Sequence, residues 1–145
     1  MQGLLEAMGI PYTGSGVLAS AMGMDKVVAK AMFKALGLAV IDYRVFPAAN
    51  AERIVPSELP FGLPCVVKPS GEGSSVGVHI VKDPTKLQAA CRDAAAYKGD
   101  VIVERYVKGS EVNVAVLDGK ALGAIEIVPA NEFYDYSAKY QAGTT

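Results

Sequence analysis

A loop rich in glycine and serine is the first part of this sequence whose residue types could do chemistry. Residues 70–77 contain three glycines and three serines within eight positions. Glycine lets backbone N–H groups turn toward a bound anion, and serine adds hydroxyl donors. Lys68 ends the apolar run before the loop and adds a point charge suited to phosphate. The loop lacks the P-loop spacing, so an anion-binding loop and a flexible hairpin tip both remain open.

Three lysines follow one another at helical spacing, at positions 26, 30 and 34. Lys26 begins a helical run. Lys68 ends an apolar strand that has little reason to finish in a charge unless the side chain reaches a partner. We therefore group Lys26 with Lys68 as candidate phosphate ligands. Lys30 and Lys34 are interpreted as a solvated stripe of the same helix.

Two further segments carry polar and aromatic groups where elements end. Residues 104–107 read Glu-Arg-Tyr-Val, and Glu111 follows them. Backbone groups there could read an adenine edge, and the carboxylate could accept two ribose hydroxyls. From the sequence alone, an edge strand with alternating charges is the preferred interpretation. Residues 133–140 hold four aromatics, which suits either a lid over a site or a well-anchored structural loop.

Composition excludes several other classes of function. The chain has 145 residues, is 51% hydrophobic and carries a net charge of −1, so it has no electrostatic footprint for nucleic acid or an anionic membrane. No run approaches the roughly 20 apolar residues of a membrane-spanning helix, and no signal peptide is evident. Cys65 and Cys91 fall on apolar faces and are interpreted as inert buried thiols. We therefore expect a cytoplasmic protein.

Metal and triad chemistry also find no support in the residue inventory. His79 is the single histidine, and on an alternating strand it is interpreted as a surface or hydrogen-bonded residue. With two separated cysteines, the sequence offers neither a zinc constellation nor a Ser-His-Asp set.

The elements that must position these residues mix helices with hairpins. The predicted helices span 1–10, 17–22, 25–36 and a segment opened by Asp83 and Pro84; the predicted strands lie in 38–46, 64–68, 77–81, 101–107, 111–117 and 120–128, with 47–62 mostly irregular. Asp118-Gly119 is the strongest short turn signal. Strands and helices do not alternate strictly, so we expect an α+β fold with an antiparallel sheet and helices on one face.

Taken together, these segments resemble the D-alanine–D-alanine ligases of the ATP-grasp superfamily. The resemblance is carried, in order, by residues 12–21, 24–26, 67–70, 72–77, 103–104, 109–111, 126–130 and 132–140. Any one of these motifs is weak, but their order along nearly the whole chain is specific.

The resemblance implies an ATP-grasp fold cut through its domain boundaries. Residues 1–22 correspond to the tail of an N-terminal domain and a linker, residues 23–104 to the central domain, and residues 105–145 to the start of an incomplete C-terminal domain. Both ends of the chain therefore look cut.

Site roles carry over by resemblance, residue by residue. Lys26 and Lys68 correspond to lysines that hold the ATP phosphates, and Glu111 to the carboxylate that binds the ribose. The remaining ATP-binding positions are Gly73, Ser74, Ser75 and Val76 in the loop, Glu104, Arg105, Tyr106 and Val107 along the adenine pocket, Phe133 against the adenine, and Lys139 on the phosphate. Ser74 and Tyr140 correspond to a catalytic hydrogen-bonded pair.

The implied reaction joins two D-alanine molecules through an acyl phosphate made from ATP, for peptidoglycan precursors. Tyr140 favours a dipeptide over a depsipeptide product, and Gly71 departs from the basic or larger polar residue common in relatives. Mg²⁺ is implied, with its carboxylate ligands expected beyond Thr145, and a homodimer is implied for the full-length protein. Two alternatives stay open: a nucleotide-binding fragment that is inactive alone, and an ATP-grasp ligase for another carboxylate and amine.

Overall fold

A computed structural model of the chain describes residues 1–97 and 99–128. The helices are α1 (Gln2–Ala7), α2 (Val17–Met24), α3 (Lys26–Ala35) and α4 (Leu87–Ala95), and the strands are β1 (Tyr43–Phe46), β2 (Cys65–Pro69), β3 (His79–Val81), β4 (Val101–Arg105), β5 (Glu111–Leu117) and β6 (Lys120–Ile127). Three short 3-10 helices span Ala48–Arg53, Pro56–Glu58 and Pro84–Lys86.

The first four strands form one sheet in the order β1-β4-β2-β3, and every neighbouring pair is antiparallel. The predicted hairpin across residues 64–81 is therefore confirmed as the β2–β3 pair. Residues 38–46 supply one strand. The segment 47–62, predicted as mostly irregular, contains two of the 3-10 helices and contributes the buried side chains of Ala51, Ile54 and Leu59.

One face of this sheet carries the hydrophobic core. Cys65 and Val67 of β2 and Val101 and Val103 of β4 are fully buried, and they belong to one cluster with Leu87 of α4. Side chains alternate between the two faces of a strand, which explains why every second residue of β2 is buried. Burial of each such side chain stabilises the fold by roughly 1.5–3 kcal/mol.

The opposite face of the sheet carries the charged side chains of Lys68 and Glu104 beside apolar ones, and we call it the polar face. Val66 pairs directly with Glu104, and Lys68 pairs with Ile102, so these side chains share the face that α4 does not cover. Lys30 of α3 reaches Glu104 on this side. The expected α+β fold with an antiparallel sheet is therefore confirmed: α4 packs on the apolar face, and α3 reaches the other face through this lysine.

Strands β5 and β6 form a separate two-stranded antiparallel sheet. Asp118 and Gly119 have φ angles of 48° and 73°, as a type I′ hairpin turn requires, so the predicted turn is confirmed. Apolar side chains are exposed on this hairpin, at Val112, Val114, Val116, Leu122 and Ile125. Within residues 1–97 and 99–128, no helix is long and apolar enough to cross a membrane.

Candidate functional site

A cavity of about 780 Å³ lies against the polar face of the four-stranded sheet. Its walls come from the start of α3, strands β2 and β4, the glycine- and serine-rich loop, and the ends of the β5–β6 hairpin. The lining residues that the sequence had singled out are Lys26, Lys68, Gly73, Ser74, Ser75, Glu104, Arg105, Tyr106, Val107 and Glu111. The apolar floor, which includes Val66, Val78 and Ile80, has no separate signal in the sequence.

Lys26 is held at the first turn of α3, facing the loop. The Asp25 side chain caps this helix by accepting hydrogen bonds from the N–H groups of Val27 (2.8 Å) and Val28 (3.3 Å), which fixes where the helix begins. The backbone N–H of Lys26 donates to the carbonyl of Ser70 at 3.0 Å, and its ammonium donates to the Glu72 carbonyl. Burial, and then the neighbouring charge of Lys68, lower the pKa of Lys26.

Glu104 is the buried centre of an ionic cluster. Its side chain is 8% exposed, one carboxylate oxygen bonds the Lys68 ammonium, and the other lies 2.8 Å from the Lys30 ammonium. Burial by itself would raise the pKa of Glu104, but the charges of Lys68 and Lys30 and their hydrogen bonds outweigh it. The pKa of Glu104 therefore lies below its ordinary value, and the carboxylate is ionised at neutral pH.

Lys30 was predicted to be a solvated residue, and this is wrong. Its side chain is only 14% exposed, it pairs with Glu104, and its ammonium lies 4.9 Å from the centre of the Tyr43 ring. One turn separates Lys30 from Lys26, so both side chains leave the same face of α3. That spacing was the available signal. Lys34 is exposed, as predicted.

The glycine- and serine-rich loop is fastened at both ends. At its start, the buried Ser70 donates its N–H to the Asp100 carbonyl (2.8 Å), and its Oγ accepts from the Asp100 N–H (3.0 Å). At its end, Gly77 has φ +66°, and a Cβ there would lie 2.8 Å from the Tyr97 ring. Between these anchors, Ser74 and Ser75 have φ angles of 52° and 60°, a conformation that is unfavourable for residues with a Cβ.

Residues 105–107 also line the cavity. The guanidinium of Arg105 pairs with Asp42 at 2.5 Å and is largely exposed. The Arg105 N–H donates to the Asp42 carbonyl (2.9 Å), and the Tyr106 N–H donates to the Pro64 carbonyl (3.2 Å). These bonds fix the course of the chain as it leaves β4.

The remaining predicted residues fall outside this constellation. Val76 belongs to the loop but does not line the cavity. Phe133, Lys139 and Tyr140 lie outside the described residues. Cys65 and Cys91 are free and fully buried, as predicted, and burial raises the pKa of their thiols to about 11 and about 12. His79 bonds Asp93 on α4 at 2.7 Å.

One cavity is enclosed by an antiparallel sheet that carries a lysine, by the start of a helix and by a glycine-rich loop. This arrangement defines the protein as a member of the ATP-grasp class. Residues 32–145 match the family model described as "D-ala D-ala ligase C-terminus". The chain belongs to this family.

Named relatives and solved structures agree with this assignment. A D-alanine--D-alanine ligase of Anaeromyxobacter sp. (strain Fw109-5) is 77% identical over the whole chain, which covers 47% of that relative. A D-alanine--D-alanine ligase from Geobacter sulfurreducens is 58% identical over 99% of the chain, and the match covers 45% of that relative. The chain thus spans about half the length of these curated relatives.

Two structural neighbours carry the same name. A crystal structure of D-alanine--D-alanine ligase from Bacillus anthracis superposes with a TM-score of 0.80 at 40% identity, covering 94% of this chain and 45% of that one. The structure of that organism's ligase complexed with ATP gives a TM-score of 0.76 at 36% identity, covering 92% of this chain and 44% of that one.

Proposed function

We propose that this chain is the ATP-binding segment of a ligase that joins two D-alanine molecules into a dipeptide for peptidoglycan precursors. The observation that carries the proposal is one cavity of about 780 Å³ shared by Lys26, Lys68, the glycine-rich loop and Glu104. The names of the relatives at up to 77% identity support it, as does the ATP bound to the Bacillus anthracis ligase.

The triphosphate of ATP would lie at the lysine end of the cavity. Lys26 and Lys68 supply two positive charges there, and residues 73–75 bring loop backbone and serine hydroxyls to the same wall. Phosphoryl transfer depends mainly on positioning and on neutralising charge. A partly buried ammonium is worth more to a phosphate than one in open water, so this end suits the transferring group, with Ser74 and Tyr140 as the proposed catalytic pair.

The nucleoside would lie where the chain leaves β4 and enters β5. Glu104, Arg105, Tyr106 and Val107 form the proposed adenine wall, and Glu111 at the start of β5 is the proposed ribose carboxylate. We assign Val76, Phe133 and Lys139 to ATP on the strength of the family resemblance. The apolar floor of the cavity suits the flat face of a base.

The reaction proceeds in two displacements. A carboxylate oxygen of the first D-alanine attacks the terminal phosphorus of ATP, and ADP leaves. The amine of the second D-alanine then attacks the acyl carbon, the phosphate leaves with the bonding electrons, and the nitrogen loses a proton. The residues of this chain contribute charge neutralisation and orientation for the first displacement.

Further features of the whole protein follow from the same proposal. We propose a central domain over residues 23–104, flanked by an N-terminal tail and linker (1–22) and by the start of a C-terminal domain (105–145). Mg²⁺ would accompany ATP, but residues 1–97 and 99–128 contain no group of three or more potential His, Cys, Asp or Glu ligands, so no step is assigned to it. A cytoplasmic homodimer is the proposed context.

The test is phosphate release by the full-length protein with ATP and a panel of amino acids. We expect release that requires D-alanine and yields the D-alanyl dipeptide. Preference for an unrelated amine would favour another ATP-grasp ligase, and ATP binding without release would favour a nucleotide-binding role.

A further inference from the structure

We propose that Lys30 is a positioning residue for nucleotide binding, which holds Glu104 from behind the cavity so that Lys68 can serve the nucleotide. The inference rests on the proposed function, because it assigns a new residue to that same site. Lys30 is in contact with Glu104 but, among the described residues, is not part of the cavity lining. It therefore acts through another side chain.

The geometry makes Glu104 a shared anion. Lys68 approaches one oxygen of its carboxylate and Lys30 the other, and the two lysines come from different elements, β2 and α3. Only Lys68 and Glu104 of this trio also line the cavity. The Glu104 carboxylate thus contacts Lys68, which lines the cavity, and Lys30, which does not.

The role of Lys30 is to balance part of the negative charge of Glu104. If Lys30 were absent, Lys68 would be the only cation among the described residues in contact with Glu104, and the buried carboxylate would hold it tightly, since an uncompensated buried charge is costly. With Lys30 in place, the Glu104 charge is already balanced, and the three donors of the Lys68 ammonium can be divided between Glu104 and a phosphate.

The surroundings of Lys30 are consistent with a fixed position. Its ammonium stands over the ring of Tyr43 at 4.9 Å, and Tyr43 is the direct cross-strand neighbour of Glu104. A cation over an aromatic ring is attracted by the negative face of the ring. Lys30 is therefore held by two groups that lie side by side on the sheet.

The experiment compares Lys30→Met, Lys30→Arg and Lys34→Met in the full-length protein. Lys34 lies one turn further along α3 and is exposed, so its replacement is the matched control. Calorimetric titration with a non-hydrolysable ATP analogue and Mg²⁺ should show a Kd raised about tenfold by Lys30→Met, within the range measured for coupled neighbours. Lys30→Arg should restore most of the affinity, and the KM for D-alanine should stay within about twofold.

A double-mutant cycle separates positioning from a general loss of structure. If Lys30 acts through Glu104, Lys30→Met should change the Kd by less than about twofold when Glu104 is already Gln. If Lys30→Met weakens binding equally in both backgrounds, or no more than Lys34→Met does, the inference is overturned. Should Lys30→Met unfold the protein, the comparison of Lys30→Arg with Lys30→Gln decides the question in the same way.

The proposed function and this inference fail in different ways. A wild-type protein that does not bind the ATP analogue contradicts the proposed function before any variant is compared. A wild-type protein that binds it, with Lys30→Met indistinguishable from Lys34→Met, leaves the proposed function standing and overturns the role of Lys30.

Discussion

Glu104 is the anion that pairs with two lysines at the site. Its carboxylate is buried, yet two lysines keep it ionised. Burying these charges costs desolvation energy, which their attraction offsets only when the partners are well placed. The cluster joins α3, β2 and β4 at the wall of the cavity.

The lowered pKa of Glu104 predicts how stability depends on pH. The folded pKa lies below the ordinary value of 4.5, so the carboxylate contributes stability that is present above pH 4.5 and is lost as pH falls through the folded pKa. At pH 7, Glu104→Gln should lower the free energy of unfolding by about 3 kcal/mol, and the gap to wild type should shrink below pH 4.5. Denaturant unfolding of the full-length protein from pH 7 to pH 3 measures this.

The control for the pH experiment is Glu52→Gln, since Glu52 is exposed on a 3-10 helix. It should track the wild-type curve at every pH. A gap for Glu104→Gln that stays constant down to pH 3 would contradict the assignment of the lowered pKa to the ion cluster.

The two cysteines give a second prediction at this scale. Cys65 and Cys91 are fully buried, and their thiol pKa values are raised to about 11 and about 12. Because the thiolate is the reactive form, neither should react with a disulfide reagent at pH 8 while the protein is folded. Mass spectrometry of the labelled peptides should show both modified only after unfolding; rapid labelling of either in native protein would be the contrary result.

Sequence reasoning at the residue scale succeeded where a local pattern was enough. Lys26 and Lys68 were grouped by their positions at element ends, and the structure brings both to one cavity. Lys30 was misread because its partner, Glu104, is 74 positions away, and a lysine repeat on a helix is usually solvated. The pairing of β4 with β1 and β2 brings that partner to α3.

The loop between β2 and β3 is the element that shapes the cavity. Ser70 anchors one end through two hydrogen bonds with Asp100, and Gly77 meets the Tyr97 ring at the other. Both anchors therefore use the segment that joins α4 to β4. A loop fixed at its ends can hold strained residues such as Ser74 and Ser75 in place between them.

Gly77→Ala tests the second anchor. The new Cβ would adopt a left-handed conformation and would lie 2.8 Å from the Tyr97 ring, so we expect the free energy of unfolding to fall by about 2 kcal/mol. Gly73→Ala is the matched control in the same loop, because a Cβ there meets no atom within 4 Å. Thermal denaturation of both variants in the full-length protein checks this, and equal midpoints would refute the anchor.

Local signals predicted most elements but not their order in the sheet. The helix start at Asp83 and the turn at Asp118-Gly119 each lie where they were predicted, because each depends on neighbours within a few residues. The insertion of β4 between β1 and β2 depends on pairing across about 35 to 60 residues, which no local pattern encodes.

The molecule exposes large apolar side chains on two of its elements. Large apolar side chains are exposed on both α3 and the β5–β6 hairpin, among them Met32, Phe33, Val116 and Ile125. Exposed apolar area on this scale marks a surface that packs against something else. The curated relatives are about twice as long as this chain.

This predicts a clear difference between the segment and its full-length protein. The 145-residue chain alone, with ATP, Mg²⁺ and D-alanine, should make no dipeptide detectable by chromatography, because the proposed site is only partly built from it. The full-length protein assayed in parallel is the control. Dipeptide formation by the segment alone would show that the residues needed for turnover all lie within it.

Nucleotide binding to the full-length protein, with and without the Lys68 charge, tests most directly whether the cavity binds ATP. Titration calorimetry with a non-hydrolysable ATP analogue and Mg²⁺ should give tight binding for wild type and for Lys86→Met, whose lysine lies on the 3-10 helix before α4. Lys68→Met should weaken binding at least tenfold, since it removes a charge from the cavity wall. Equal affinity of Lys68→Met and wild type would contradict the assignment of this cavity to ATP.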